Sequence, residues 1–248
     1  MTPTLMIEKL ARADALSAHR FRYFEFVMAG ACVVLVCSNI IGAGKVASIA
    51  GLSFGAGVLF FPFSYIAGDV LTEVYGYARA RRVFWASVAA AAFAAAMAAF
   101  ITAMPPSPDW NADVGGISRQ DAFALNFAQA PRIVAASCLA IWAGEFVNAY
   151  VLARMKVASQ GRNLWQRMIA STAAGQLVDK LVFYPLAFAG VWSPQLIVTV
   201  MATNYVLQVA WEALLVPVTT RIVGAMKRAE GVDVYDEETD FTPFSLKE

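Results

Sequence analysis

Charged and amide side chains recur inside the most apolar stretches of this 248-residue chain. Asp69, Thr72 and Glu73 stand at i, i+3 and i+4, so they share one face of a helix. Glu145 and Asn148 lie one turn apart, and Gln176, Asp179 and Lys180 fall close together. Asn204, Gln208 and Glu212 recur every four residues, with Trp211 beside them, while Asn39 stands alone. Carboxylates accept hydrogen bonds, and amides both donate and accept. Together they suit a solute with adjacent N–H donors and a carbonyl, such as an amidine- or guanine-like edge. Phe60, Phe61, Phe63, Tyr65, Phe146, Tyr150, Phe183, Tyr184, Tyr205 and Trp211 offer faces on which a planar heteroaromatic ring can stack. An anionic solute fits worst, because Lys180 is the one cation at that depth. The plainer reading is that these groups hydrogen-bond between helices, that Asp179 or Glu145 pairs structurally with Lys180, and that Asp69 and Glu73 anchor Arg79, Arg81 and Arg82. A bundle held by this many carboxylates would be an expensive scaffold, since each costs at least a few kcal/mol at mid-membrane.

The elements that must position these groups are membrane spans. Apolar residues make up 59% of the chain, charged residues 15%, and mean hydropathy is +0.58. The excess comes in six blocks long enough to cross a hydrocarbon core about 30 Å thick: residues 24–42, 54–74, 83–104, 132–152, 168–190 and 196–218. The fold class expected is therefore all-α, a polytopic membrane protein of six transmembrane helices with a small-molecule substrate. Pro185 and Pro217 are expected to kink or end the last two. Lys9, Arg12, Arg20 and Arg22 precede the first block; Arg79, Arg81 and Arg82 follow the second. Arg154, Lys156, Arg162 and Arg167 follow the fourth, and Arg221, Lys227, Arg228 and Lys247 the sixth. The alternate connections hold only Lys45 and Arg119. Positive charge is retained in the cytoplasm, which places both termini there. Residues 1–23 form a cytoplasmic arm, either an amphipathic segment or a frayed one, and 219–248 an acidic cytoplasmic tail. The outer connection 105–131 is expected to hold a brief interfacial helix after Ser118. Three spans followed by three also suggest an inverted repeat, with Gly68–Glu73 answering Gly175–Lys180.

Other classes of function find no footing. Net charge is +1, which argues for no nucleic acid partner. Cys32, Cys37 and Cys138 lie in apolar blocks without paired spacing, and no metal or cofactor is expected. The lone His19 lies outside every span, and neither a Gly-x-Ser-x-Gly elbow nor a phosphate-cradling Gly-x-x-x-x-Gly-Lys-[Ser/Thr] occurs. The chain is not expected to be an enzyme or to hydrolyse ATP. The alanine-rich third span, Val88–Met97, would allow close helix packing and hence a homodimer.

Phe61-Pro62-Phe63-Ser64-Tyr65-Ile66-Ala67-Gly68-Asp69-Val70-Leu71-Thr72-Glu73-Val74-Tyr75-Gly76, followed by Ala78-Arg79-Ala80-Arg81-Arg82, resembles the signature of the queuosine precursor transporter family. Gly175-Gln176-Leu177-Val178-Asp179 is similar to its second marker. Glu230-Gly231-Val232-Asp233-Val234-Tyr235-Asp236, with Phe241-Thr242-Pro243-Phe244, is similar to its third. The likeness runs from about Phe26 to Leu246. It implies a bacterial inner-membrane protein that imports 7-cyano-7-deazaguanine and 7-aminomethyl-7-deazaguanine for the tRNA base queuosine. By motif, Asp69, Thr72, Glu73, Gln176 and Asp179 match family positions; Glu145, Asn148, Asn204, Gln208, Trp211 and Glu212 come from the physics alone. Lys180 departs from the family, which often has a neutral polar residue there. The resulting expectation is a substrate site near the bilayer midplane between the second, fourth, fifth and sixth spans. One spare carboxylate is available there to carry a proton. Three alternatives stay open: a carrier of another heteroaromatic or vitamin-like solute, the binding subunit of a multi-component importer, and a non-transporting scaffold or intramembrane enzyme.

Overall fold

The computed structural model describes residues 21–158, 164–232 and 234. Residues 1–20 of the arm, and 233 and 235–248 of the acidic tail, lie outside the described residues, whereas 219–230 belong to the last helix. Helix α1, Phe24–Cys37, continues as a π-helical turn, Ser38–Gly42. A hairpin follows, β1 (Val46–Ile49) against β2 (Leu52–Gly55), with Val46 opposite Gly55 and Ile49 opposite Leu52. A 3-10 segment, Ala56–Phe60, leads into α2, Phe61–Val70, which ends in a second π-helical turn, Leu71–Tyr75. Helix α3 is Tyr77–Ala103. A two-residue hairpin, β3 (Asp113–Val114) and β4 (Ile117–Ser118), precedes α4, Arg119–Phe127. The chain then forms α5 (Ala130–Ala158), α6 (Leu164–Phe188) and α7 (Pro194–Glu230).

The protein is mostly helical, and five segments are long and apolar enough to cross a membrane: Phe24–Gly42, Ala56–Tyr75, Tyr77–Ala103, Arg119–Asn148 and Pro194–Glu230. The block expected as the fifth span forms the helix α6, and Gln176, Asp179 and Lys180 dilute its hydropathy below that of these five. Large apolar side chains such as Phe26, Phe93 and Val206 point outward, as the lipid-facing surface of a multi-pass membrane protein requires.

The mostly helical fold fits the all-α expectation, with two short hairpins set between helices. Three other expectations need correction. Residues 75–82 are not a loop: Gly76, at φ 86°, is the single non-helical residue, and Arg79, Arg81 and Arg82 already belong to α3. A left-handed φ costs glycine nothing, so one residue suffices to turn the chain. Pro217 does not end its helix, which runs on for thirteen residues until Gly231 closes it at φ 69°. One missing donor is a small loss for a helix packed along both halves of the molecule. Pro185 likewise sits inside α6. Beyond it, Arg132 donates from Nε to Leu186 O (2.8 Å) and from Nη2 to Ala189 O (2.7 Å), satisfying carbonyls that no later turn can reach. The brief helix after Ser118 does form, and Ser118 Oγ caps it by accepting from Asp121 N.

Two apolar clusters bracket a polar middle. At one end Ile133, Ala136, Tyr184, Phe188 and Val200 pack together, with Leu196 and Met201 against them. At the other, Val70, Leu71, Val74, Tyr75 and Val83 gather Phe24 and Met28 of α1 and Ile222 and Met226 of α7. Along α7 the polar residues Gln208 and Glu212 fall between these ends. A third cluster uses Ala91 and Ala95 of α3 against Val134, Leu35 and Ile40, so that small-residue face is used within the chain. Gly68 and Gly175 differ in their surroundings. A Cβ on Gly68 would meet nothing within 4 Å, whereas Gly175 lies in a close helix crossing.

Candidate transport site

That crossing positions half of the site. A Cβ on Gly144 of α5 would lie 2.9 Å from Gly175 O and 3.0 Å from Asp179 Cβ. One on Gly175 would lie 2.8 Å from both Gly144 O and Asn148 Cβ. Only hydrogen fits on either side, so the backbones touch. Glu145 and Asn148 are thereby brought against Gln176 and Asp179. Asn148 hydrogen-bonds the Glu145 carboxyl, which also feels the Asp179 charge.

Lys180 is almost fully buried, at 3% exposure. Its ammonium pairs with Asp179 of the same helix and sits 5.2 Å from the Phe61 ring centroid on α2. Carboxylate and ring together compensate a charge that would otherwise be very costly there.

Helices α2 and α7 complete the middle. The Tyr65 hydroxyl feels Glu212, Asp179 and Glu145 at once, so α2, α5, α6 and α7 converge on it. Asp69, one turn further along α2, feels Glu212, Glu73 and Glu145. Tyr65 OH, Asn148 Oδ1, Gln176 Oε1 and both amide atoms of Gln208 are buried without a hydrogen-bond partner. Gln208 is only 1% exposed. Native interiors pair more than nine in ten of such atoms. These unpartnered atoms lie on α2, α5, α6 and α7, the helices whose charged groups meet at Tyr65, which makes the polar middle the candidate for a site holding water or a solute.

The remaining predicted residues stand elsewhere. The Asn204 amide is engaged on both sides, accepting from Gly55 N at 3.0 Å and donating to Tyr184 OH. Thr72 is exposed and donates back to Gly68 O (2.9 Å). Glu73 reaches Lys227 at 3.5 Å, at the far end of α7. Trp211 is half-buried and, among the described residues, joins no ring contact. Sequence reasoning offered Tyr65 and Phe61 only as stacking faces and missed the Tyr65 hydroxyl beside the carboxylates and the Phe61 ring over Lys180. Tyr65 stands four residues before Asp69, and that spacing was the available signal.

The Glu230 carboxylate forms a second polar junction at the end of α7. It accepts from Arg22 N (2.8 Å), Tyr23 N (2.9 Å) and Tyr75 OH (2.8 Å). It therefore supplies the missing acceptors at the start of α1, where no side chain of α1 does so. A groove lined by Phe84, Trp85, Val88, Cys138, Leu139 and Trp142 is apolar and outward-facing, and shares nothing with the polar middle.

A family model described as "Putative vitamin uptake transporter" matches residues 55–222, which include α2, α3, α6 and the polar residues of α7. The chain belongs to this family. Vitamin uptake transporters are carriers and not enzymes, in keeping with a polar middle enclosed by apolar helices. Among curated proteins, the chain is 27% identical over 184 residues to the "Probable queuosine precursor transporter" of Bacillus subtilis (strain 168), covering 73% of this chain and 76% of that one. It is 28% identical over 141 residues to the "Queuosine precursor transporter" of Escherichia coli (strain K12), covering 57% of this chain and 58% of that one. No solved structure matches.

Proposed function

We propose that the protein imports queuosine precursors across the bacterial inner membrane, with six spans and both termini in the cytoplasm. The solutes are 7-cyano- and 7-aminomethyl-7-deazaguanine. The observation that carries this reading is the set of unpartnered polar atoms on Tyr65, Asn148, Gln176 and Gln208, gathered beside carboxylates from the same four helices. A deazaguanine shows a carbonyl, a ring N–H and an exocyclic amine along one edge. Gln208 supplies both a donor and an acceptor, Gln176 Oε1 and Asn148 Oδ1 supply acceptors, and a carboxylate of Glu145 or Glu212 takes adjacent N–H groups. The names of the two relatives support the same solute.

On this reading Asn204 builds the wall, holding the hairpin end at Gly55, and does not read the solute. Asp179 keeps Lys180 compensated. Thr72 and Glu73 belong to the cytoplasmic end of the pathway. The family description favours one further reading, a vitamin-like heteroaromatic solute at the same site.

The test is a tRNA assay in cells lacking their own precursor carrier and the early steps of precursor synthesis. Cells expressing this chain and given nanomolar 7-cyano- or 7-aminomethyl-7-deazaguanine are expected to show queuosine in tRNA. Its absence, with the protein verified in the inner membrane, would overturn the reading.

A further inference from the structure

We infer that the site selects a cationic solute: a planar heteroaromatic bearing a protonated primary amine is taken in preference to its neutral counterpart. This rests on the proposed function and deepens it. The charged groups around the polar middle are Asp69 on α2, Glu145 on α5, Asp179 and Lys180 on α6, and Glu212 on α7. Lys180 is already taken by Asp179 and the Phe61 face. Asp69, Glu145 and Glu212 form no ion pair with any Lys or Arg among the described residues. The charges felt by Asp69 are all carboxylates. The site therefore holds a surplus of acceptors that can be negative, and no cation to spare.

A second observation points to an organic ligand. Gln208 is buried with both amide atoms unpartnered and stands four residues before Glu212 on the same face of α7. The rise over four residues is ~6 Å, comparable to the width of a two-ring heteroaromatic. Gln208 reads a hydrogen-bonding edge while Glu212, with Asp69 or Glu145, meets an amine carried on the other side of the rings. Among the described residues no three His, Cys, Asp or Glu are placed to hold a metal ion. In a poorly hydrated site a carboxylate gains far more from an ammonium than from a neutral nitrile.

The experiment uses the purified full-length chain and compares dissociation constants for 7-aminomethyl- and 7-cyano-7-deazaguanine at neutral pH. The expected result is binding of the aminomethyl compound at least tenfold tighter. Glu212→Gln, or Glu145→Gln if the first fails to fold, should reduce that ratio to threefold or less. Affinities within twofold of each other in the unmodified protein would overturn the inference and leave the proposed function standing. A ratio that stays above tenfold in every folded variant would overturn the assignment to these carboxylates. Binding of neither compound would overturn the proposed function itself.

Discussion

Asn204 and Gln208 are the same chemical group one helical turn apart on α7, yet the fold treats them oppositely. The first has its amide satisfied at both ends, and the second has neither end satisfied. A buried amide without partners is a stability cost, of order 1–3 kcal/mol. Gln208→Leu is therefore expected to leave the ligand-free melting temperature unchanged or raised. The same change should abolish the stabilisation produced by a saturating deazaguanine, and differential scanning fluorimetry reads both. Asn204→Ala is expected to lower the melting temperature even without ligand, because Gly55 N loses its acceptor. Asp179→Ala should destabilise by about 3–5 kcal/mol, since Lys180 is left buried and uncompensated. The double variant Asp179→Asn, Lys180→Gln should recover most of that loss in denaturant titrations. Periodicity was enough to find Gln208 and Glu212 in the sequence. The role of Asn204 was not legible, because its partner Gly55 lies 149 residues away and is a backbone group.

At the scale of elements, the α5–α6 crossing depends on two hydrogens. Gly144→Ala or Gly175→Ala would put a methyl within 3.0 Å of backbone. Either should force the helices apart, with loss of folded yield and of solute binding. Gly68→Ala meets open space in a helix and should stabilise by about 0.5–1 kcal/mol. Size-exclusion profiles and thermal melts of the three variants check the contrast. Helix positions were largely legible, since hydropathy blocks of spanning length leave little alternative in a bilayer. The β1–β2 hairpin was not, because burial runs from half-buried to exposed along β1 and from exposed to buried along β2, which leaves no alternation to detect. The start of α3 was hidden for another reason. Arg79, Arg81 and Arg82 read as a connection, but they belong to the first turns of α3, and Arg81 is buried. Arg79 lies 4.5 Å over the Phe21 ring, and Arg81 5.5 Å over Tyr77.

For the whole molecule, the alternation of basic connections predicts that the 105–118 segment faces outward and the end of α7 inward. A cysteine placed at Asp113, in a background lacking Cys32, Cys37 and Cys138, should react with an impermeant maleimide in intact cells. One placed at Gly231 should react only after permeabilisation. The Glu230 junction ties the start of α1 and Tyr75 to the end of α7. Tyr75→Phe removes one of its bonds to a charged acceptor and should cost about 1.5–3 kcal/mol in denaturant titrations. Glu230 also completes the first turn of α1, across a separation of 208 residues. Helix α1 is therefore synthesised long before the carboxylate that completes its first turn. Its leading N–H groups wait for the ribosome to deliver the end of α7, so a polypeptide that stops short of Glu230 carries its defect at the opposite terminus.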